Sequence, residues 1–170
     1  GLVDLYKDAG FENIIMEWDN PYRDNPDWDI EMSYLPQRVK GVNNEEIGLI
    51  WNKSIGFQKF QRYAHGEIEL DEIISYIKNH LSSLPRAMPL YGNDVEVFDY
   101  RPGRYMTEAN IHIQGEWNRI DKLYECLKAD DQINFISPNQ VASLKNELLA
   151  NNLLDIVSAT QPIPVKKQNK

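Results

Sequence analysis

Short apolar runs alternate along the chain with amphipathic helical stripes, and this alternation limits the possible folds more than any other feature. The run Ile14-Ile15-Met16 lies in a predicted strand over residues 11–17. Continuous apolar runs of this kind are typical of strands that are buried on both faces of a parallel sheet. The clearest predicted helix has apolar residues at helical spacing, namely Leu70, Ile73, Ile74, Ile77 and Leu81. The alternation predicts an α/β fold with mostly parallel strands.

The remaining elements follow from the same patterns. Gly10 is a suitable end for a first helix over residues 2–9. Further strands are predicted over residues 33–39, 46–51, 87–92 and 133–136, and further helices over residues 54–65, over residues 117–127 and after Ser137-Pro138, with Ser137 as N-cap. Residues 18–29 are rich in proline, asparagine and aspartate, which predicts a loop. No N-capping residue precedes Leu2 and the chain begins with Gly1, so we expect its natural start to lie upstream.

Charge and composition argue against several classes of function. The 170 residues include 18 Lys and Arg against 26 Asp and Glu, a net charge of −8. Such a chain is a poor partner for a nucleic acid backbone. The longest apolar runs are too short to span a bilayer, and no signal peptide pattern is present. We therefore expect a cytoplasmic protein that binds neither nucleic acid nor membrane.

Metal and cofactor chemistry lacks support in the sequence. Cys126 is the one cysteine, which excludes an internal disulfide and a cysteine-built zinc site. The three histidines, His65, His80 and His112, do not occur at the spacing of a metal-binding pair. No glycine-rich phosphate-binding or dinucleotide-binding motif occurs. We expect no metal and no cofactor.

An acidic segment follows the predicted strand over residues 87–92. In parallel α/β folds, functional residues gather at the carboxyl ends of strands. In an extended backbone, Asp94 and Glu96 point to the same side, about 6.6 Å apart along the chain. Either can act as a proton donor if burial or a nearby charge raises its pKa. The alternative is a solvated strand face with Val95 and Val97 turned inward, since short alternations are common.

Two other places are candidates for ligand binding. After the first strand, Trp18 beside Asp19 can form a sugar platform, because an aromatic face covers a pyranose ring while polar groups bind its hydroxyls. The alternative is a tryptophan that packs into the rim of the fold. Arg101, followed by Pro102-Gly103, can pair with the acidic residues or hold a ligand oxygen. The alternative there is an ordinary turn with solvated arginines.

The segment Tyr91-Gly-Asn-Asp-Val-Glu-Val-Phe98 resembles the D-x-E-x-F segment of glycoside hydrolase family 57. That family includes amylase-like, branching and glucanotransferase enzymes. Further stretches resemble the same family, namely Leu5 to Pro21, residues 51–67 and Phe135-Ile-Ser-Pro138. The resemblance covers most of residues 1–150.

This resemblance implies a retaining α-glycosidase or transglycosidase on an incomplete (β/α)7-type barrel, acting on an oligo- or polysaccharide. Asp94 takes the position of the family's general acid/base, and Glu96 is expected to tune or orient it. The sugar subsites are expected to include Trp18, Asp19, Phe98 and Arg101. The family's nucleophile is a Glu from an earlier strand, so it is expected upstream of this chain. Residues 1–160 are then the C-terminal portion of a catalytic barrel truncated at its N-terminus, and residues 161–170 a flexible tail or linker.

Two other functions stay open at this point. A non-catalytic carbohydrate-binding or scaffold protein of the same ancestry is suggested by the missing nucleophile. A metal-dependent sugar deacetylase can share a related barrel, although the chain lacks paired metal-binding histidines.

Overall fold

The computed structural model describes residues 2–90, 115–144 and 155–157 of the chain. The helices are α1 (Leu2–Asp8), α2 (Asp19–Asp24), a 3₁₀ helix (Ile30–Tyr34), α3 (Ser54–Ala64), α4 (Leu70–Lys78), α5 (Glu116–Lys128) and α6 (Pro138–Ser143). The strands are β1 (Asn13–Glu17), β2 (Gln37–Lys40), β3 (Glu46–Asn52) and β4 (Asp155–Val157). The described residues form two compact units: one comprises residues 2–54, 85–89, 136–144 and 155–157, the other residues 55–84, 90 and 115–135.

The first unit contains a four-stranded sheet in the order β1, β3, β2, β4. β1 is parallel to β3 and β4 is parallel to β2, whereas β2 and β3 are antiparallel. The prediction of an α/β chain with mostly parallel pairing is confirmed. The antiparallel pair departs from it because residues 41–45 alone separate β2 from β3, too few for the crossover that parallel neighbours need.

One face of this sheet carries the core of the first unit. Ile14 of β1 pairs with Leu49 of β3, and Met16 pairs with Trp51, so these side chains share a face. The buried cluster on this face consists of Val3, Trp18, Val39, Ile47, Leu49 and Trp51.

Asp4 of α1 holds the turn between β2 and β3. Its carboxylate accepts hydrogen bonds from the backbone N–H groups of Val42 (2.8 Å) and Asn43 (3.3 Å). Gly41 allows this close approach, because a Cβ there would lie 2.0 Å from Oδ1 of Asp4. At the other end of α1, Gly10 adopts a φ of 86° and terminates the helix as predicted.

The second unit is helical. Its buried core comes from α3, α4, α5 and the connection after α3, and contains Phe60, Tyr63, Ala64, Ile68, Ile73, Ile77, Ile120, Leu123 and Leu127. Arg119 of α5 is buried beside this core and donates from Nε to the Tyr63 carbonyl and from Nη2 to the Ile68 carbonyl, both at 2.7 Å. The Tyr63 hydroxyl donates in return to the Arg119 carbonyl at 2.8 Å. These bonds fix α5 against the end of α3.

Several predicted elements are confirmed and others are wrong. The strands over residues 11–17 and 46–51, the helices over residues 54–65 and 117–127, and the Ser137 cap are all present. The predicted loop over residues 18–29 instead contains α2. The predicted strand over residues 33–39 begins only at Gln37, after Pro36, whose missing N–H cannot join a ladder. Residues 133–136 and 87–90 form no strand in the described part of the chain.

None of the described helices is long and apolar enough to cross a membrane.

Candidate functional site

The carboxyl ends of the parallel strands β1 and β3 meet at one edge of the sheet. Glu17 at the end of β1 is the register partner of Asn52 at the end of β3. The N–H of Trp18 extends this pairing by donating to the Asn52 carbonyl at 2.8 Å. Polar residues therefore follow both strands at the same edge, which is where ligands bind in parallel α/β sheets.

Asp19 lies at this edge and caps α3. Its Oδ2 accepts hydrogen bonds from the backbone N of Ser54 at 3.0 Å and from its Oγ at 2.5 Å. A carboxylate at the start of a helix satisfies free N–H groups and interacts favourably with the helix dipole. Asp19 thus has a role in the fold, and its predicted role in binding sugar hydroxyls stays a prediction.

Glu17 is the acidic neighbour of Asp19, and its carboxyl group is only partly exposed. Oε1 accepts from the N–H of Asp19 at 2.8 Å, and Oε2 accepts from the N–H of Asn20 at 2.9 Å. Burial raises the pKa of Glu17, and the nearby Asp19 carboxyl raises it too, against the two backbone N–H groups that lower it. Glu17 therefore holds its proton to a higher pH than an isolated glutamate side chain does.

The sequence analysis selected Asp19 as a candidate site residue but not Glu17. The signal was present, because Glu17 and Asp19 lie two residues apart at the end of an apolar strand. Asp94 and Glu96 have the same two-residue spacing after a predicted strand.

Trp18 is 1% exposed, which favours the packing alternative over the sugar platform. Its ring stacks on Tyr22 with the centroids 5.0 Å apart, and it contacts Trp51 edge-on at 5.1 Å and Trp28 at 5.6 Å. The faces of the indole are therefore covered by other aromatic side chains. Trp18 stabilises the carboxyl edge of the sheet from within.

Lys53, directly after β3, is a further charged residue at this edge and was not selected from the sequence. It is 8% exposed, and its Nζ lies 3.7 Å from the ring centroid of Tyr34. Arg86 lies 4.4 Å from the same ring centroid and forms a two-point ion pair with Glu31. In the sequence, the one sign of a role for Lys53 is its position directly after an apolar strand. Its burial depends on Tyr34 from the 3₁₀ helix, which a local pattern does not reveal.

The segment over residues 85–89 is anchored beside this cluster. The N–H of Ala87 donates to the Tyr34 carbonyl at 3.0 Å, and Arg86 contributes the ion pair with Glu31. The predicted catalytic residues Asp94 and Glu96 and the predicted sugar ligands Phe98 and Arg101 follow in the sequence but lie outside the described residues. Within the described ranges, no group of three or more His, Cys, Asp or Glu side chains is placed to hold a metal ion.

Comparison with solved structures finds a likeness to the crystal structure of a 4-alpha-glucanotransferase from Thermococcus litoralis. The TM-score is 0.64 at 19% sequence identity, and the match covers 96% of this chain and 22% of that protein. The likeness shows that the folds are similar, and the chain spans about a fifth of that protein's length. No family model matches the sequence, and no curated protein matches it.

Proposed function

We propose that this chain is part of a carbohydrate-active enzyme of the type of glycoside hydrolase family 57. The observation that carries the proposal is the fold likeness to a glucanotransferase over 96% of the chain. It agrees with the independent resemblance of residues 91–98 to the D-x-E-x-F segment. On this proposal, the sheet of the first unit is part of an incomplete (β/α)7-type barrel.

The proposed reaction is hydrolysis or transfer at an α-glycosidic bond of an oligo- or polysaccharide, with retention of configuration. Asp94 donates a proton to the departing glycosidic oxygen and then takes a proton from water or from an acceptor sugar. Glu96, two residues away, raises the pKa of Asp94 by like-charge repulsion or orients it. A retaining reaction also needs a carboxylate nucleophile at about 5–5.5 Å from the acid/base, and the family resemblance expects this Glu ahead of α1.

The carboxyl edge of β1 and β3 supports the sugar-binding part of the proposal. Asp19 is held there by Ser54, so its carboxylate has a defined position for a sugar hydroxyl. Trp18 backs this edge from the core. Phe98 and Arg101 are proposed to complete the subsites from the segment that follows the acid/base.

The test is to incubate the full-length protein with maltoheptaose and to follow the products by chromatography and by proton NMR of the anomeric region. We expect shorter or longer maltooligosaccharides whose newly formed ends are initially α-configured, as retention requires. Initial β-configured products would contradict the retaining mechanism.

Two further assays of the full-length protein separate the alternative functions. A change in tryptophan fluorescence on adding the oligosaccharide, without any turnover, would replace the enzyme with a carbohydrate-binding protein. Release of acetate from an acetylated oligosaccharide, lost on treatment with a chelator, would replace it with a metal-dependent deacetylase.

A further inference from the structure

The ammonium group of Lys53 is an unusual feature of the carboxyl edge of β3. The residue is 8% exposed, and its one described interaction is the cation–π contact with Tyr34 at 3.7 Å. Its Nζ makes no hydrogen bond or ion pair with any residue that the structure describes. An ammonium group has three donors and no acceptor, so this group is short of acceptors among the described residues.

Arg86 is a second cation beside the Tyr34 ring, and it has an anionic partner. It lies against the same Tyr34 ring, and Glu31 neutralises it through two contacts. Glu31 is therefore already paired with Arg86. The charge of Lys53 has no such counterpart among the residues that the structure describes, and a cation–π contact compensates only part of the cost of removing an ammonium from water.

Two buried indole N–H groups lie in the aromatic cluster that Trp18, Trp28 and Trp51 form at this edge. Trp51 precedes Lys53 by two residues, so the two side chains leave the strand on the same face. The indole Nε1 atoms of Trp51 and of Trp18 are buried and have no hydrogen-bond partner among the described residues. The Lys53 ammonium and these two indole groups are all donors, and an anionic oxygen is an acceptor for donors of this kind.

We propose that Lys53 binds an anionic oxygen, either of a carboxylate or of a phosphate, carried by the saccharide ligand. Lysine binds such groups as a point charge, and the pairing is strong where water is scarce. The saccharide part of this proposal rests on the proposed function, whereas the anionic part rests on Lys53 alone. An acidic or phosphorylated oligosaccharide is then bound in preference to a neutral glucan of the same size.

The binding test compares four probes by calorimetry with the full-length protein: glucose, glucuronate, glucose 6-phosphate and inorganic phosphate. We expect glucuronate or glucose 6-phosphate to bind at least about 10-fold more tightly than glucose, because removing one partner of a desolvated charge pair has an effect of this size or larger. The stronger of the two anionic sugars identifies the group as carboxylate or phosphate. Inorganic phosphate that binds as tightly as glucose 6-phosphate would overturn the saccharide part.

Lys53→Met and Lys53→Arg test the residue itself. Lys53→Met is expected to reduce the preference for the anionic sugar to within about 2-fold of glucose, whereas Lys53→Arg keeps most of it. Lys59→Met is the matched control, because Lys59 forms a partly exposed ion pair with Glu72 at 2.8 Å and should leave the preference unchanged. An undiminished preference in Lys53→Met would overturn the proposal.

The stability of Lys53→Met separates a binding role from a purely structural role, because a structural role predicts that the variant is less stable than the wild type. Methionine is close to an apolar isostere of lysine, and replacing an uncompensated buried charge by an apolar group is often neutral or stabilising. We therefore expect the urea midpoint of Lys53→Met to equal or exceed that of the wild type. A midpoint lower by more than about 0.5 M would mean that Lys53 serves the fold, and would contradict the proposal.

Failure of this inference differs from failure of the proposed function. Turnover of maltoheptaose by a protein without any preference for anionic sugars would leave the proposed function standing and remove the role of Lys53. A preference for an anionic sugar that is lost in Lys53→Met, in a protein that cleaves and transfers no glycosidic bond, would do the reverse.

Discussion

Asp19 has one role in the fold and a second, predicted role in the sugar site, and substitution can separate them. Its Oδ2 accepts from both the backbone N and the Oγ of Ser54, the first residue of α3. Asp19→Ala removes both hydrogen bonds and a negative charge from the start of the helix. Asp19→Asn keeps an acceptor oxygen and removes only the charge.

The magnitudes follow from these two contributions. Removing an N-terminal capping side chain costs about 0.5–2 kcal/mol, and removing a favourable charge at a helix start costs about 0.3–1 kcal/mol. Asp19→Ala should therefore lower the free energy of unfolding by about 0.8–3 kcal/mol. Asp19→Asn should lower it by less than about 1 kcal/mol, because its amide oxygen still accepts from Ser54.

Urea unfolding followed by tryptophan fluorescence and by circular dichroism measures both values. A double-mutant cycle with Ser54→Ala adds the test of the contact itself, with an expected coupling of about 0.5–1.5 kcal/mol between the two residues. Additive effects of Asp19→Ala and Ser54→Ala would refute the contact between the Asp19 carboxylate and the Ser54 hydroxyl, and a negligible effect of Asp19→Ala would refute its assignment as the cap of α3. Loss of sugar binding in Asp19→Asn, with stability nearly unchanged, would support the second role.

Three further perturbations test other parts of the structure. Arg119→Met removes two charge-assisted hydrogen bonds to buried carbonyls, one of them that of Tyr63, and should cost about 3–5 kcal/mol in urea unfolding; a loss below about 1 kcal/mol would contradict the buried geometry. Gly41→Ala places a Cβ against the Asp4 carboxylate and should cost about 1–3 kcal/mol, with Asp4→Ala largely removing the additional effect. Burial raises the pKa of Glu17, so the folded protein keeps this proton where the unfolded chain has lost it. The contribution of this proton to stability is full below the ordinary pKa of 4.5 and is lost as the pH rises through the raised pKa. Glu17→Gln should therefore reduce the decrease in the free energy of unfolding that is measured between about pH 4 and about pH 7. An identical decrease in both proteins would contradict this prediction.

The elements that sequence patterns predicted well are those with strong local signals. β1 and β3 contain apolar runs, α3 and α5 have amphipathic spacing, and α6 begins with a Ser137 capping box. These signals lie within a few residues of the element that they specify. Each of these elements can therefore be predicted without knowledge of its tertiary contacts.

The elements that were missed depend on contacts that a local pattern does not contain. α2 starts within a segment rich in proline and aspartate because the Glu17 carboxylate accepts the N–H groups at its beginning. The apolar residues 133–136 form no strand in the described chain, although their composition suits one. Strand formation needs a neighbouring strand to pair with, and composition alone does not provide it.

The candidate site shows the same division. The location of the site at the carboxyl ends of parallel strands was predictable, and Asp19 was a candidate residue from the sequence. The raised pKa of Glu17 depends on burial and on its distance from Asp19, and the burial of Lys53 depends on Tyr34. Trp18 was a possible sugar platform in the sequence and is a covered core side chain in the fold, because three aromatic rings surround it.

The most direct test of the central claim is the turnover of maltoheptaose by the full-length wild type and by Asp94→Asn, with Asp131→Asn as an exposed-acid control. We predict a loss of at least about 100-fold in Asp94→Asn and near wild-type turnover in the control, because a general acid contributes at least this factor. The loss should be smaller for an aryl glycoside, whose leaving group needs little protonation. Turnover of maltoheptaose by Asp94→Asn within a few-fold of the wild type would contradict the assignment of Asp94 as the acid/base.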